Sequence, residues 1–169
     1  MEDLRDRMDL LYQLMDQEIS HYHLLIQTMK KESECLKQGS TESLIQTLHS
    51  INHHTETIHG LRETIQETIE KILTTSGRRE TEKTLSSLCA FLPSSDRKRI
   101  KLYQGTLTKL KAWAGQVNDL NRAIVQEALT HLRGLISLLI NPAGESSGYI
   151  QNGKRGQAVP LPYSLNREV

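Results

Sequence analysis

No glycine or proline precedes Gly39, and the apolar residues of that opening stretch fall at Leu4, Met8, Leu11, Met15, Tyr22, Leu25, Met29 and Leu36. Steps of three and four residues put such a set on one stripe of an α-helix, whereas a strand would need alternation. The spacing predicts a single helix of about 35 residues, near 50 Å long at 1.5 Å per residue. Glu18 and Glu32 interrupt the stripe at two seam positions. A helix this long with one apolar stripe must lie against another of comparable length. Gly39 supplies a stop, and Ser40 or Thr41 can accept the free N–H groups of a following helix. So short a link forces an antiparallel hairpin.

The next segment repeats the alternation through Leu44, Leu48, Ile51, Ile58, Ile65, Ile69 and Ile72, broken by Thr55 and Arg62, and stops at Ser76-Gly77. Arg78 to Leu92 reads as a weaker, shorter helix carrying Leu85, Leu88, Cys89 and Leu92. Pro93 then ends it, and Ser94-Ser95-Asp96 offers a fresh N-cap. From near Asp96 a last helix of about 45 residues keeps a seam through Ile100, Tyr103, Leu107, Leu110, Ala114, Val117, Asn121, Ile124, Ala128, Leu135 and Leu138. Gly105, Gly115 and Gly134 weaken it by roughly 1 kcal/mol each without ending it, and Pro142 does end it. Residues 141–169 carry four glycines and two prolines beyond that point among polar residues, without periodicity, and are expected to form a flexible tail. The expected architecture is therefore all-α: a helical bundle domain over 1–140, resembling a coiled coil, and a tail over 141–169.

Composition agrees with a slender bundle. Only one Phe and one Trp occur in 169 residues, too few large aromatics for a thick core. The 21 Lys and Arg nearly cancel 20 Asp and Glu, so no net charge draws the chain to nucleic acid or an anionic membrane. Cys35 and Cys89 lack metal-like spacing and suit a reducing compartment. Met1 to Arg7 has no apolar signal region, and the longest apolar run, Leu135 to Ile140, falls far short of the roughly 18 residues that span a bilayer. A soluble, cytoplasmic protein is expected.

The second half of the last helix has more apolar surface than one seam can use. Val125, Ala128, Leu129, Leu132, Leu135, Ile136, Leu138, Leu139 and Ile140 fill an arc of roughly 200°, where a core-facing stripe needs about half of that. One edge is expected to pack on the chain's own helices. The other, with Val125, Leu129, Ile136 and Ile140 and with Leu132 beside them, wants cover from another polypeptide or from a second copy of the chain.

Motifs for chemistry are sparse. Glu18-Ile19-Ser20-His21 and Glu56-Thr57-Ile58-His59 each carry the Glu-x-x-His spacing of a di-iron carboxylate bundle, and a hairpin turning at Gly39 sets them near the same level. Such a site also needs a Glu from each of two further helices, so solvated polar faces are the plainer reading and no metal or cofactor is expected. His49 and His53 lack the intervening Glu of a zinc hydrolase. No phosphate loop, Gly-x-Ser-x-Gly, Cys-x-x-Cys or dinucleotide fingerprint occurs, so no enzyme is expected. Arg97, Lys98, Arg99, Lys101, Lys109 and Lys111 make a basic patch, read as a solvated face that could meet an acidic partner, since base-stacking groups are few. Asn121 at the seam, with Asn118 one turn before it, is the kind of polar exception that fixes register. Trp113 and Tyr103 are expected to pack.

Asn118-Asp119-Leu120-Asn121, the apolar run Ile124 to Ile140, and Tyr149-Ile150-Gln151-Asn152-Gly153 stand in the order found in the FlgN family of bacterial flagellar export chaperones, which the whole layout resembles. The resemblance implies a cytoplasmic, non-enzymatic chaperone of flagellar type III export. Its clients would be hook-filament junction proteins, held by their C-terminal helical segments along the C-terminal part of the chaperone. It also implies that a tail tyrosine, here Tyr149 with Gly153 after it, contacts the cytosolic domain of the export gate. The longer tail departs from the family pattern and makes Tyr163 a rival. A self-associating coiled-coil scaffold is the alternative, and a di-iron bundle a more distant one.

Overall fold

A computed structural model describes residues 2–76 and 84–140, and among them every regular element is a helix. α1 runs Glu2–Gln38, α2 Thr41–Thr75, α3 Leu85–Cys89 and α4 Ser94–Ile140. The protein is all-α, as its periodicity demands. Contacts within the chain divide it into Met1–His131 and Leu132–Val169, and only the last turns of α4 are described in the second unit.

Gly39 ends α1 as expected. It takes the left-handed conformation, with φ of 68°, and the Ser40 N–H donates back to the Cys35 carbonyl at 3.2 Å, closing the wide loop of a Schellman stop. Ser40 then stands at the N-cap of α2, but its side chain makes no cap hydrogen bond, contrary to expectation. The hairpin holds without it, because the turn is fixed by the glycine and by burial along the seam. Contacts between α1 and α2 pair falling numbers with rising ones: Glu18 with Arg62, His21 with His54, Cys35 with Thr47. α4 runs parallel to α1, since Tyr12 donates to Asp96 at 3.0 Å, Tyr103 to Asp16 at 2.7 Å, and Asn121 to the Met29 carbonyl at 2.9 Å.

The core is long and thin. Its fully buried side chains are Leu11, Met15 and Ile26 of α1, Ile69 and Ile72 of α2, Leu88 of α3 and Ile100 of α4. Each such aliphatic contributes roughly 1.5–3 kcal/mol by leaving water. The helix expected over Arg78–Leu92 is observed only as Leu85–Cys89, residues 77–83 lying outside the described ones. Thr84 starts it by accepting the Ser87 N–H at 3.2 Å, and Ala90 and Phe91 close it with tight bonds to the Ser87 and Leu88 carbonyls. The Pro93 carbonyl accepts the first bond of α4, from the Arg97 N–H, so Asp96 is free to receive Tyr12 instead of capping.

Candidate functional site

α4 stays buried along one stripe from Ile100 to Asn121, and Asn121 is its last buried residue. The Asn121 side chain is 3% exposed and fully used. Its Nδ2 donates to the Met29 carbonyl at 2.9 Å and to Glu32 Oε2 at 2.7 Å, and its Oδ1 accepts from the Ser33 hydroxyl. Asn118, expected beside it, is exposed. It sits three residues back, on a flank that the stripe has already left.

Beyond Asn121 the helix has no such cover. Ile124 is half-buried, and Val125, Leu129, Leu132, Ile136 and Ile140 are 39, 44, 53, 45 and 72% exposed. The edge expected to pack on the chain's own helices is exposed at Ala128 within the first unit, and Leu135, Leu138 and Leu139 are exposed in the second. α1 explains the change within the first unit. The register that sets Met29 to Ser33 beside Asn121 leaves only a turn more of α1 before its end at Gln38. An 18-residue stretch of α4 is also apolar enough, with at most two charges, to meet the length and composition of a bilayer-crossing helix, and none of it is buried. Counting unbroken apolar residues had missed this, because isolated charges interrupt the run without removing its average character.

A second polar layer lies lower in the bundle, where the sequence showed only defects in two seams. Glu18, 3% exposed, accepts from Arg62 Nε at 2.9 Å and has Lys111 Nζ at 4.0 Å. Arg62 also donates to the Tyr22 hydroxyl. The readable signal was the complementarity itself, a glutamate interrupting one seam and an arginine the other at compatible distances from Gly39.

The hairpin does bring the two Glu-x-x-His motifs to nearly the same level, but not onto one face: Glu18 turns inward to Arg62 at 2.9 Å. Glu56 is exposed, and His59 pairs with Glu63 on its own helix at 3.4 Å. Among the described residues no group of three or more His, Cys, Asp and Glu could hold a metal ion. His21 meets His54 instead, Nδ1 to Nδ1 at 3.4 Å. Burial, followed by the charges of His21 and His53, pushes the His54 imidazole below its ordinary value. His49 and His53 are exposed.

The basic patch stays at the surface, all six of its residues exposed, while three of them reach back to groups of the bundle. Arg99 lies over the Tyr12 ring at 3.9 Å, Tyr12 stacks near Tyr103, Arg97 donates to the Leu92 carbonyl, and Lys111 faces Glu18. Tyr103 packs as expected, but Trp113 is 42% exposed, with Lys30 Nζ 4.3 Å from its ring centroid. Tyr149, Gly153 and Tyr163 lie outside the described residues.

Residues 7–157 match the family model described as FlgN protein. The chain belongs to the FlgN family. No curated protein and no solved structure matches it. As a FlgN protein it is a flagellar export chaperone, of a family that is cytoplasmic in general and not known for enzymatic activity. The matched range runs from Arg7 of α1 through all of α4. It takes in Tyr149 and Gly153, whereas Tyr163 falls after it.

Proposed function

We propose that this FlgN protein lays the C-terminal helical segment of hook-filament junction proteins along Val125, Leu129, Leu132, Ile136 and Ile140 of α4. It thereby prevents their premature association and delivers them to the export gate. The observation that carries the reading is the uncovered apolar length of α4 after Asn121. A client helix waiting to enter a filament exposes an apolar stripe that would otherwise aggregate, and a helix with a matching stripe can shield it. Five side chains already partly in water each add less than the roughly 1.5–3 kcal/mol of full burial, and ordering both partners offsets part of the total. Binding is therefore firm and releasable, as export requires.

Leu129→Asp with Ile136→Asp tests the site. Both residues are exposed, so the double variant is expected to keep wild-type helicity and melting while losing capture of a junction-protein C-terminal segment in calorimetry. Undiminished capture by the folded double variant refutes the assignment. Tyr149, with Gly153 after it, is the proposed gate contact, supported over Tyr163 by the extent of the family match. Tyr149→Ala is expected to leave client affinity intact and weaken binding of the gate's cytosolic domain, and equal gate affinity in the two proteins removes the role.

Self-association is the second reading, favoured by the exposure of Leu138 and Leu139, at 70 and 79%, outside the proposed client face. Sedimentation separates the two. A dimer that client peptide cannot dissociate supports a scaffold, and a monomer, or a dimer that client dissolves, supports the chaperone.

A further inference from the structure

The densest group of reactive side chains that client binding does not use is histidine. His21 on α1 and His54 on α2 face each other across the hairpin seam, their Nδ1 atoms 3.4 Å apart and their rings tilted by 58°. With one ring protonated at Nδ1 this contact is a long N–H···N hydrogen bond. It has the separation of two ligands on one cation. Nitrogens about 2.05 Å from a zinc ion at a tetrahedral angle lie about 3.3–3.4 Å from each other, whereas adjacent corners of a square plane lie about 2.9 Å apart. Both rings are half-buried, each on a long helix whose packing fixes its position. His21 also borders an open cleft with Asp16, Gln17 and Ser20, which gives a route from solvent.

We propose that His21 and His54 form a two-imidazole site for a late first-row divalent cation, Zn²⁺ fitting the observed separation best, with water completing the shell. Each neutral ring would ligate through Nδ1 and keep its proton on Nε2. The site takes nothing from Glu18 or Glu56 and so differs from a carboxylate-bridged arrangement. Two ligands hold a cation less tightly than three or four, which makes this an exchangeable clip joining α1 to α2. Because the ligands converge only in the folded hairpin, the bound cation stabilises it.

The full-length protein, stripped with chelator and titrated with zinc sulfate in a calorimeter, is expected to bind one zinc ion per chain and to melt at a higher temperature when loaded. His21→Gln and His54→Gln are each expected to weaken zinc binding by at least about tenfold and to abolish the melting shift. The rival chelate is the exposed pair His49 and His53, spaced by four on α2, so His49→Gln, which breaks that pair and leaves the His53 ring in place beside His54, is expected to change neither reading. Imidazole ¹⁵N shifts in the wild-type protein give a readout independent of variant folding, with His21 and His54 moving together on zinc addition. Absence of zinc binding, loss of it in His49→Gln with retention in His21→Gln, or unmoved His21 and His54 resonances overturns the proposal.

Discussion

Asn121→Asp keeps the shape and volume of a buried side chain and reverses its hydrogen-bonding character, so packing is unchanged and the whole effect is electrostatic. The native amide nitrogen gives one bond to the Met29 carbonyl and one to the Glu32 carboxylate, and a carboxylate can give neither. A neutral bond contributes about 1 kcal/mol and one to a charged group about 2, so the lost donors amount to roughly 3 kcal/mol. Two carboxylates would then face each other where donor and acceptor now stand 2.7 Å apart. At an effective dielectric constant near 20, like charges about 4 Å apart repel by about 4 kcal/mol, and the half-exposure of Glu32 and a small separation of the chains reduce this to about 1 kcal/mol. The Ser33 hydroxyl still has an acceptor. The sum is about 3–5 kcal/mol, a large share of the roughly 5–15 that a domain possesses. Urea denaturation at pH 7 measures it, and hydrogen exchange locates it. Protection is expected to fall in α4 around Val117 to Ile124 while the α1–α2 hairpin keeps its own. Near pH 4, where carboxylates ordinarily take up protons, the gap between variant and wild type should narrow. A variant within about 0.5 kcal/mol of wild type at pH 7 refutes the reasoning, because ordinary surface substitutions fall within that range.

Arg62→Met removes the close partner of Glu18 and leaves a buried carboxylate with only Lys111 at 4.0 Å. Half of the arginine is in solvent, so the usual 3–5 kcal/mol for breaking a buried pair shrinks to about 2, read by denaturant titration. Replacing Glu18 and Arg62 together with apolar residues should recover most of that loss. Tyr12, Tyr22 and Tyr103 are all raised above 10.0, in each case by burial first. The folded chain then holds more protons than the unfolded chain once pH exceeds 10, so stability is full below that pH and declines as pH rises through it. Denaturation midpoints at pH 9 to 11 should show the decline, and Tyr12→Phe should make it shallower. A flat profile in the wild type contradicts the burial of these phenols.

The helices could be read from sequence because a 3-4 alternation depends on local geometry and not on what covers it. Gly39 could be read as a turn because its left-handed conformation is strained for most other residues. What periodicity could not supply was facing: the two Glu-x-x-His motifs do lie at nearly the same level, between the His21–His54 and Glu18–Arg62 contacts, but Glu56 and His59 are turned to solvent. Nor could it say how far α1 accompanies α4, which decides that both edges of the apolar arc are uncovered and not one. Residue type alone puts Trp113 inside, whereas it is part-exposed on α4 with Lys30 Nζ over its ring.

Apart from Thr55, which bonds back to the Ile51 carbonyl of its own helix, the polar residues that interrupt the seams turn out to be partners of one another: Glu18 with Arg62, and Glu32 with Asn121. Sliding either helix pair by one turn would bury these groups unmet, so they reject alternative registers at some cost in stability. After Asn121 that device stops. The remaining seam steps of α4 are apolar except for His131, which stays on its own helix beside Glu127 at 3.9 Å. An apolar stripe without register-fixing groups gains nearly the same energy at several offsets of a partner helix. Inside the bundle this would be a fault. On the proposed client face it lets one chaperone hold helices whose stripes match in width but not in detail, and it predicts that shifting a client stripe by one heptad changes affinity far less than inserting one charge into it.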